Sequence, residues 1–351
     1  VGGGQGRTPM IASVIRPFLP KAELLPYLEA IMRVYNLHGR RDNKFKARIK
    51  ILLHELGVDA FTRQVEAEYA RLDGPSIAAD PALVDAIEAA FAPPPYAARE
   101  ATSPIFERAK AEVPEFRRWA DANLMAHKAP GYAAVMVSLK PIGGIPGDAT
   151  SEQMRALADA AERFGFGELR VTHEQNIVLP DVALDRLPAL WRHLATNGLD
   201  TPNRGLVTDI IACPGLDYCS LATARSIPIA QAISNRFADP DRPAAIGPLA
   251  IKISGCINAC GHHHVGHIGV LGLEKNGEEF YQLTLGGAPD GAAALGQRAG
   301  PGLAAEEVPG AIERLVDHYL AARREKETFL QTYRRLGHDA FKEVLHDARH
   351  A

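Results

Sequence analysis

Four cysteines, Cys213, Cys219, Cys256 and Cys260, are the only ones in 351 residues, and they fall as two pairs, C-x5-C in CPGLDYC and C-x3-C in SGCINAC. Any fold that uses all four at one centre must bring two separate loops together. Four thiols with none to spare read as one metal site. A 4Fe-4S cluster takes four Cys thiolates and tolerates varied spacing as long as the loops bring the sulfurs together. Structural zinc is the sharpest competitor, although its Cys pairs usually stand two to four residues apart and five is loose for it. Two disulfides are the remaining alternative; a chain long enough to bury a large core has no need of such staples.

Composition fits an enzyme without choosing one. With 46% hydrophobic and 23% charged residues the chain can bury a core and is long enough for two or more domains. Basic and acidic residues nearly balance, at a net charge of -3, which argues against a nucleic-acid partner. No apolar run approaches the roughly 18 residues of a membrane span. The start, VGGGQGRTP, lacks methionine and the basic-then-apolar pattern of a secretory signal, so a cytoplasmic location is expected. Such a start looks like a cut.

An internal repeat gives that cut a place. Val1-Gly2-Gly3 matches Leu285-Gly286-Gly287, and Leu56-Gly57-x-Asp59-Ala60-Phe61 matches Leu336-Gly337-x-Asp339-Ala340-Phe341. Both intervals are filled by helical patterns, and their lengths differ by four residues. The expectation is a pseudo-twofold chain of two related halves, the second whole and the first truncated to its tail. A counterpart of residues 105–284, about 180 residues, would lie upstream.

Apolar periodicity predicts helices over 8–35, from Leu24, Leu25, Leu28, Ile31, Met32 and Tyr35, and over 49–70. Three consecutive prolines make 91–104 a connector between a first region, 1–90, and the remainder of the chain. Residues 105–200 then read strand (133–140), helix (151–165), strand hairpin (169–180) and helix (185–198), with Gly167 and the polar HEQN segment turning the middle pair. That β-α-β-β-α order predicts a ferredoxin-like half-domain. Residues 201–351 hold the cysteines between short strands such as AIKIS and YQLTLGG, then a helical, charged segment over 304–348. The predicted fold class is α+β.

Six of the eleven residues from Arg40 to Lys50 are basic, opposed only by Asp42. Such density suits a small, multiply charged oxyanion, because full charges and N–H donors must replace the water the anion loses; a solvated charged face is the plain alternative. His262, His263, His264 and His267 could ligate metal, hydrogen-bond beside the cluster, or stand exposed. Asn258 could donate to a cofactor or satisfy its own turn. Gly2-Gly3-Gly4 lacks the spacing of a dinucleotide fingerprint. With no nicotinamide or flavin domain visible, electrons must come from another protein.

The segments IKISGCINACGHHHVGHIGVLG and ACPGLDYCSLA resemble, in order, spacing and flanking glycines, the paired cysteine motifs of the sirohaem-containing sulfite and nitrite reductases. The resemblance implies a 4Fe-4S cluster on Cys213, Cys219, Cys256 and Cys260, with Cys260 also ligating the sirohaem iron. It implies that Gln175 and Asn176, in a T-x-x-Q-N turn, line the cofactor cavity beside Asn258. The basic stretch is similar to the family's G-x-R-x-x-[RK]-x-x-A-[KR]-x-K signature, which places anion-contacting roles on Arg48 and Lys50. Two departures stand out: Arg48 replaces the more usual lysine, and His267 stands where an acidic residue is usual, leaving that position unassigned. The activity implied is six-electron reduction of sulfite to sulfide, or of nitrite to ammonia, with ferredoxin or a flavoprotein reductase as donor. Lys50, where nitrite reducers tend to carry an amide, favours sulfite. A non-catalytic iron-sulfur protein, or a zinc-stabilised one, is the alternative of another class.

Overall fold

A computed structural model describes residues 1–347 of the chain. They form two compact units that divide between Pro95 and Tyr96, inside the proline-rich connector.

The first unit is helical: α1 (Leu24–His38), α2 (Ile49–Leu56), α3 (Val58–Tyr69), a single turn α4 (Gly74–Ile77) and α5 (Pro81–Ala90). Tyr27, Ala30, Ile31 and Val34 recur along one face of α1 and meet Leu52, Leu53, Phe61 and Val65 in a small core. The helix expected from residue 8 begins only at a 3-10 turn from Lys21. Residues 8–20 carry Pro9, Pro17 and Pro20, and a proline disfavours helix in the residue before it. The helix expected over 49–70 is two, broken at Gly57, whose φ of 81° no side-chain-bearing residue adopts cheaply.

The second unit opens with α6 (Pro104–Glu112) and α7 (Pro114–Asn123), which periodicity had left unassigned, then β1 (Leu124–Ala126) and β2 (Tyr132–Val137). After α8 (Ser151–Phe164), capped by a Thr150–Gln153 capping box, come β3 (Arg170–Val171), β4 (Ile177–Ala183) and α9 (Leu187–Thr196). The sheet runs β1-β2-β4-β3 with every pair antiparallel. Strand β4 thus separates β2 from β3, the split β-α-β of a ferredoxin-like half-domain. Phe116 and Trp119 of α7 pack on the same core as Leu157 of α8 and Leu190 of α9.

A five-stranded sheet comes next, ordered β5 (Ile211–Ala212), β6 (Ile251–Ser254), β7 (Ile268–Lys275), β8 (Glu278–Leu285) and β9 (Gln297–Arg298). Helices α10 (Ile227–Arg236) and α11 (Arg242–Ile246) cross from β5 to β6. The pairs β5/β6 and β6/β7 are parallel, the rest antiparallel. Helices α12 (Val308–Ala322), α13 (Phe329–Leu336) and α14 (His338–Asp347) close this half; the last residue of the helical stretch expected over 304–348 lies outside the described residues.

The repeat is visible in three dimensions. Helices α1 and α12 are both 15 residues long, and α2 and α13 both 8. Gly57 and Gly337 interrupt the following helix at φ 81° and 87°, and Phe61 and Phe341 are fully buried behind them. Gly2 and Gly286 have φ 81° and 84°, and a Cβ on either would lie 2.3 Å from Leu53 or 2.2 Å from Tyr333, residues that are themselves counterparts.

Candidate active site around the four cysteines

Parallel strands deliver both cysteine motifs to one edge. Ala212 pairs with Ile253, so the chain leaves β5 as Cys213 beside the point where it leaves β6 towards Cys256. Ligands of α/β sheets gather outside the carboxyl ends of parallel strands, because the loops there are held by the sheet yet free to vary. Cys213 N donates to Ile253 O at 3.1 Å, and Gly255 N donates to Cys213 Sγ at 3.1 Å. An N–H aimed at a sulfur is the contact that stabilises a thiolate. Ser226 Oγ stands 3.4 Å from the same sulfur.

The two loops are locked together where they cross. Thr223 N and Ala224 N both donate to Gly255 O, at 2.9 and 3.0 Å. A Cβ on Gly255 would sit 2.5 Å from Ala224 O, and one on Gly215 would sit 2.5 Å from Ser226 N. Only glycine permits that approach. Ala259 and His262 hold φ of 60° and 57°, conformations that cost about 1–2 kcal/mol each for residues with a side chain. They bend the C-x3-C loop so that Cys256 is buried while Cys260 and Asn258 face outward.

All four cysteines are free thiols, with no disulfide among them. Desolvation, and then the charges of Cys213, Cys256 and Cys219, push the Cys260 thiol up from its ordinary value. A cationic centre bound by the sulfur would offset that cost. Among the described residues no three His, Cys, Asp or Glu side chains converge as a single metal ion requires. A cluster that gives each of four irons one thiolate needs no such point. Leu216, Tyr218, Leu221 and Ile257, flanking the cysteines in sequence, are exposed apolar side chains. The free four-sulfur set, the N–H···S contact and this apolar rim suit a cluster with a macrocycle on the open Cys260 side.

Gln175 and Asn176 belong to the supports of the site. Gln175, at φ 60°, uses its carboxamide as a strand would: Nε2 donates to Ala212 O at 2.8 Å and Ala212 N donates to Oε1 at 3.0 Å. The T-x-x-Q-N turn of the half-domain is thereby pinned to the residue before Cys213. Asn176 is fully buried; its Nδ2 donates to Asp209 Oδ1 at 3.1 Å and its Oδ1 accepts from Leu139 N at 3.1 Å. Asp209 also binds Lys140 Nζ at 2.6 Å and Gly205 N at 2.8 Å. Lys140 and Asp209, missed from sequence, are an ion pair buried almost completely, and pairing is the condition on which charges are buried at all.

The histidines divide. His267 accepts from Ala250 N through Nδ1 at 3.1 Å and lies parallel to Phe329. Burial pushes its pKa down to about 4, so the imidazole here is neutral. His263 is buried with both ring nitrogens unpartnered, and burial takes it down to about 3. His262 is exposed.

In the first unit, Lys50 is only 5% exposed and its ammonium donates to Thr8 O at 2.6 Å, Gln5 O at 2.8 Å and Gly4 O at 3.4 Å. Three carbonyls engage its three N–H bonds, so an anion there would have to displace one. Burial, then the neighbouring Arg48, lowers its pKa. Arg48 reaches Gln5 O at 3.5 Å with one nitrogen. Arg40 is committed to Asp42 through two hydrogen bonds of 2.7 and 2.6 Å.

Comparison with known proteins fits this geometry. The profile of the family described as nitrite and sulphite reductase 4Fe-4S domain matches residues 1–72 and 205–350, on both copies of the repeat, and that of the nitrite/sulfite reductase ferredoxin-like half domain matches 128–197 between them. Sulfite reductase [ferredoxin] 2 of Mycolicibacterium paratuberculosis is 28% identical over 97% of this chain and 56% of its own length. Ferredoxin–nitrite reductase of Synechococcus elongatus is 28% identical over 82% of this chain and 49% of its own. The chain thus spans about half the length of the curated relatives it matches. The solved structure of the Mycobacterium tuberculosis NirA protein superposes with a TM-score of 0.71 at 25% identity, covering 97% of this chain and 57% of that one. Cysteines, half-domain and repeat agree: the chain belongs to the nitrite and sulphite reductase 4Fe-4S domain family, whose cofactors are sirohaem and a 4Fe-4S cluster.

Proposed function

We propose that this chain carries the cofactor-binding part of a reductase that converts sulfite to sulfide with six electrons. The observation carrying this reading is that parallel β5 and β6 deliver the loops of both cysteine motifs, four free thiols in all, to the same end of the sheet, with Gly255 N–H directed at Cys213. Cys213, Cys219, Cys256 and Cys260 hold the cluster, with Cys260 on the side open to the haem. Once bound, the cofactors supply one-electron transfers and an iron at which an oxyanion is reduced. The protein's share is to fix the sulfurs, keep the buried strand face dry, and supply cations. Asn258, exposed between Cys256 and Cys260, faces the side where the macrocycle would lie. Gln175 and Asn176 act by holding Ala212 and Asp209 in place.

The donor is proposed to be a ferredoxin-type protein, as two relatives' names state for those proteins. Among the described residues no helix is long and apolar enough to cross a membrane. Sulfite is placed first because cations at Arg48 and Lys50 suit the more highly charged anion. Nitrite is the second reading: relatives are named nitrite reductases, and the Lys50 ammonium is already engaged by three carbonyls. The test is a visible spectrum of the purified chain, with iron and labile-sulfide analysis, and then turnover of each anion with a chemically reduced donor. Coupled sirohaem and cluster absorption with faster sulfite turnover is expected. Zinc in place of iron would end the reading, and nitrite turnover more than tenfold above sulfite would reverse the substrate order.

A further inference from the structure

Strand β6 carries a lysine that the cysteine site does not account for. Ile251 and Ile253 enter the core of the second sheet, so Lys252 and Ser254 face the other way, and all four are buried. Lys252 is 4% exposed. Its register neighbours are Ile211 on β5 and Gly269 on β7, neither of which can accept a hydrogen bond from it through a side chain. Among the described residues its ammonium has no hydrogen-bond or ion-pair partner. The nearby acid Asp209 is engaged by Lys140, Asn176 and Gly205, and Lys140 adds a second positive charge. Glu174 and Asp209 attract the ammonium from beyond ion-pair distance, while Lys140 repels it. His262 and His267 feel its charge in turn.

Desolvation with no acceptor in reach disfavours the ammonium. The strand alternation would be equally content with an apolar residue here, and Lys252 lies four residues before Cys256, on the face of β6 away from the hydrophobic core. We infer that Lys252 is the counter-charge of an anionic oxygen group bound on this face of β6, either a small oxyanion such as sulfite or a carboxylate of the cofactor. The inference deepens the proposed function and rests on it for the identity of the anion. Desolvation lowers the lysine's pKa, and an arriving anion would restore it, so occupancy and protonation rise together.

The experiment uses the full chain as purified, in wild type, Lys252→Met and Lys252→Arg. Sodium sulfite and sodium nitrite are titrated by calorimetry, sirohaem per chain is read from absorbance, and iron and sulfide are assayed as a control on folding. Lys252→Met is expected to weaken sulfite binding about tenfold to a hundredfold at unchanged iron content, with Lys252→Arg close to wild type. Loss of sirohaem from the Met variant, with sulfite affinity of the loaded fraction intact, would assign the contact to a cofactor carboxylate. If affinity and sirohaem content are both unchanged in Lys252→Met, the inference is overturned. A wild-type chain without sirohaem would instead sink the proposed function. In that event the 15N resonance of the Lys252 ammonium still decides: a shift on adding sulfite or sirohaem supports the anion site, and a resonance static to both refutes it.

Discussion

The two copies of the repeat share a scaffold and differ in what holds its glycine turn. In the second copy Gly286 lies against Tyr333, whose hydroxyl donates to Leu285 O at 3.2 Å, and α13 begins with a Thr328–Gln331 capping box. In the first copy Gly2 lies against Leu53, the counterpart of Tyr333, and α2 begins at Arg48 with no side-chain cap. The position of Leu330, a core residue, is there taken by Lys50, which gathers the carbonyls of Gly4, Gln5 and Thr8. The four residues by which the first interval is longer fall in the basic loop before α2. Helix packing was thus kept in both copies. Charge was added to one.

If the copies are equivalent in their cores, Phe61→Ala and Phe341→Ala should each destabilise by about 3–5 kcal/mol, since both remove a fully buried ring. Denaturant unfolding of each variant tests this, and a difference above about 2 kcal/mol between them would break the comparison.

Acid should separate the copies next. His267, its pKa lowered from 6.5 to about 4 by burial, with Asp290 opposing and Lys252 and Arg334 adding to the shift, stays neutral in the fold while the unfolded chain takes up a proton. Stability is therefore full above pH 6.5 and declines as pH falls towards 4, by up to about 3 kcal/mol. Unfolding midpoints between pH 7 and 4 should drop for wild type and flatten for His267→Gln. Equal slopes would assign the loss to other groups.

The glycine turns give a smaller asymmetry. Gly286→Ala meets an anchored aromatic ring and should cost about 2–4 kcal/mol, whereas Gly2→Ala meets the movable end of Leu53 and should cost about 1–2 kcal/mol. Equal losses would show that the two contacts are alike. Smallest of all, Thr328→Ala should lose about 1 kcal/mol with its capping box. Arg48→Ala, which removes no cap, should change unfolding little. A larger loss at Arg48 would mean its single contact to Gln5 O carries the turn.

The sequence was most readable where the information is local. Cysteine spacing, the strand before each motif and the LGxDAF anchors all lie within a few residues of what they specify. The helix expected from residue 8 failed on three prolines inside its span, and α6 to β1 went unassigned although Phe116 and Trp119 mark a buried face. The supports of the site were harder. Gln175 and Asn176 stood out as a motif, but their partners Ala212 and Asp209 are 37 and 33 residues away, so cofactor contact and support were indistinguishable. Lys252 hid in plain alternation, since a polar residue between two isoleucines reads as solvent-facing until its burial is known. The identity of the unassigned His267 was legible, but its stacking on Phe329 was not.

Gln175 carries one more consequence. Strand β5 is the outermost strand of its sheet and only two residues long, so Ala212 would otherwise present an open N–H and C=O beside the thiols. An unpaired strand edge is a template for another chain. By closing that edge with a side-chain amide instead of a further strand, the half-domain keeps the sheet from growing by recruitment of a neighbour. The side-chain amide of Gln175 thus closes the sheet at Ala212, the residue before Cys213.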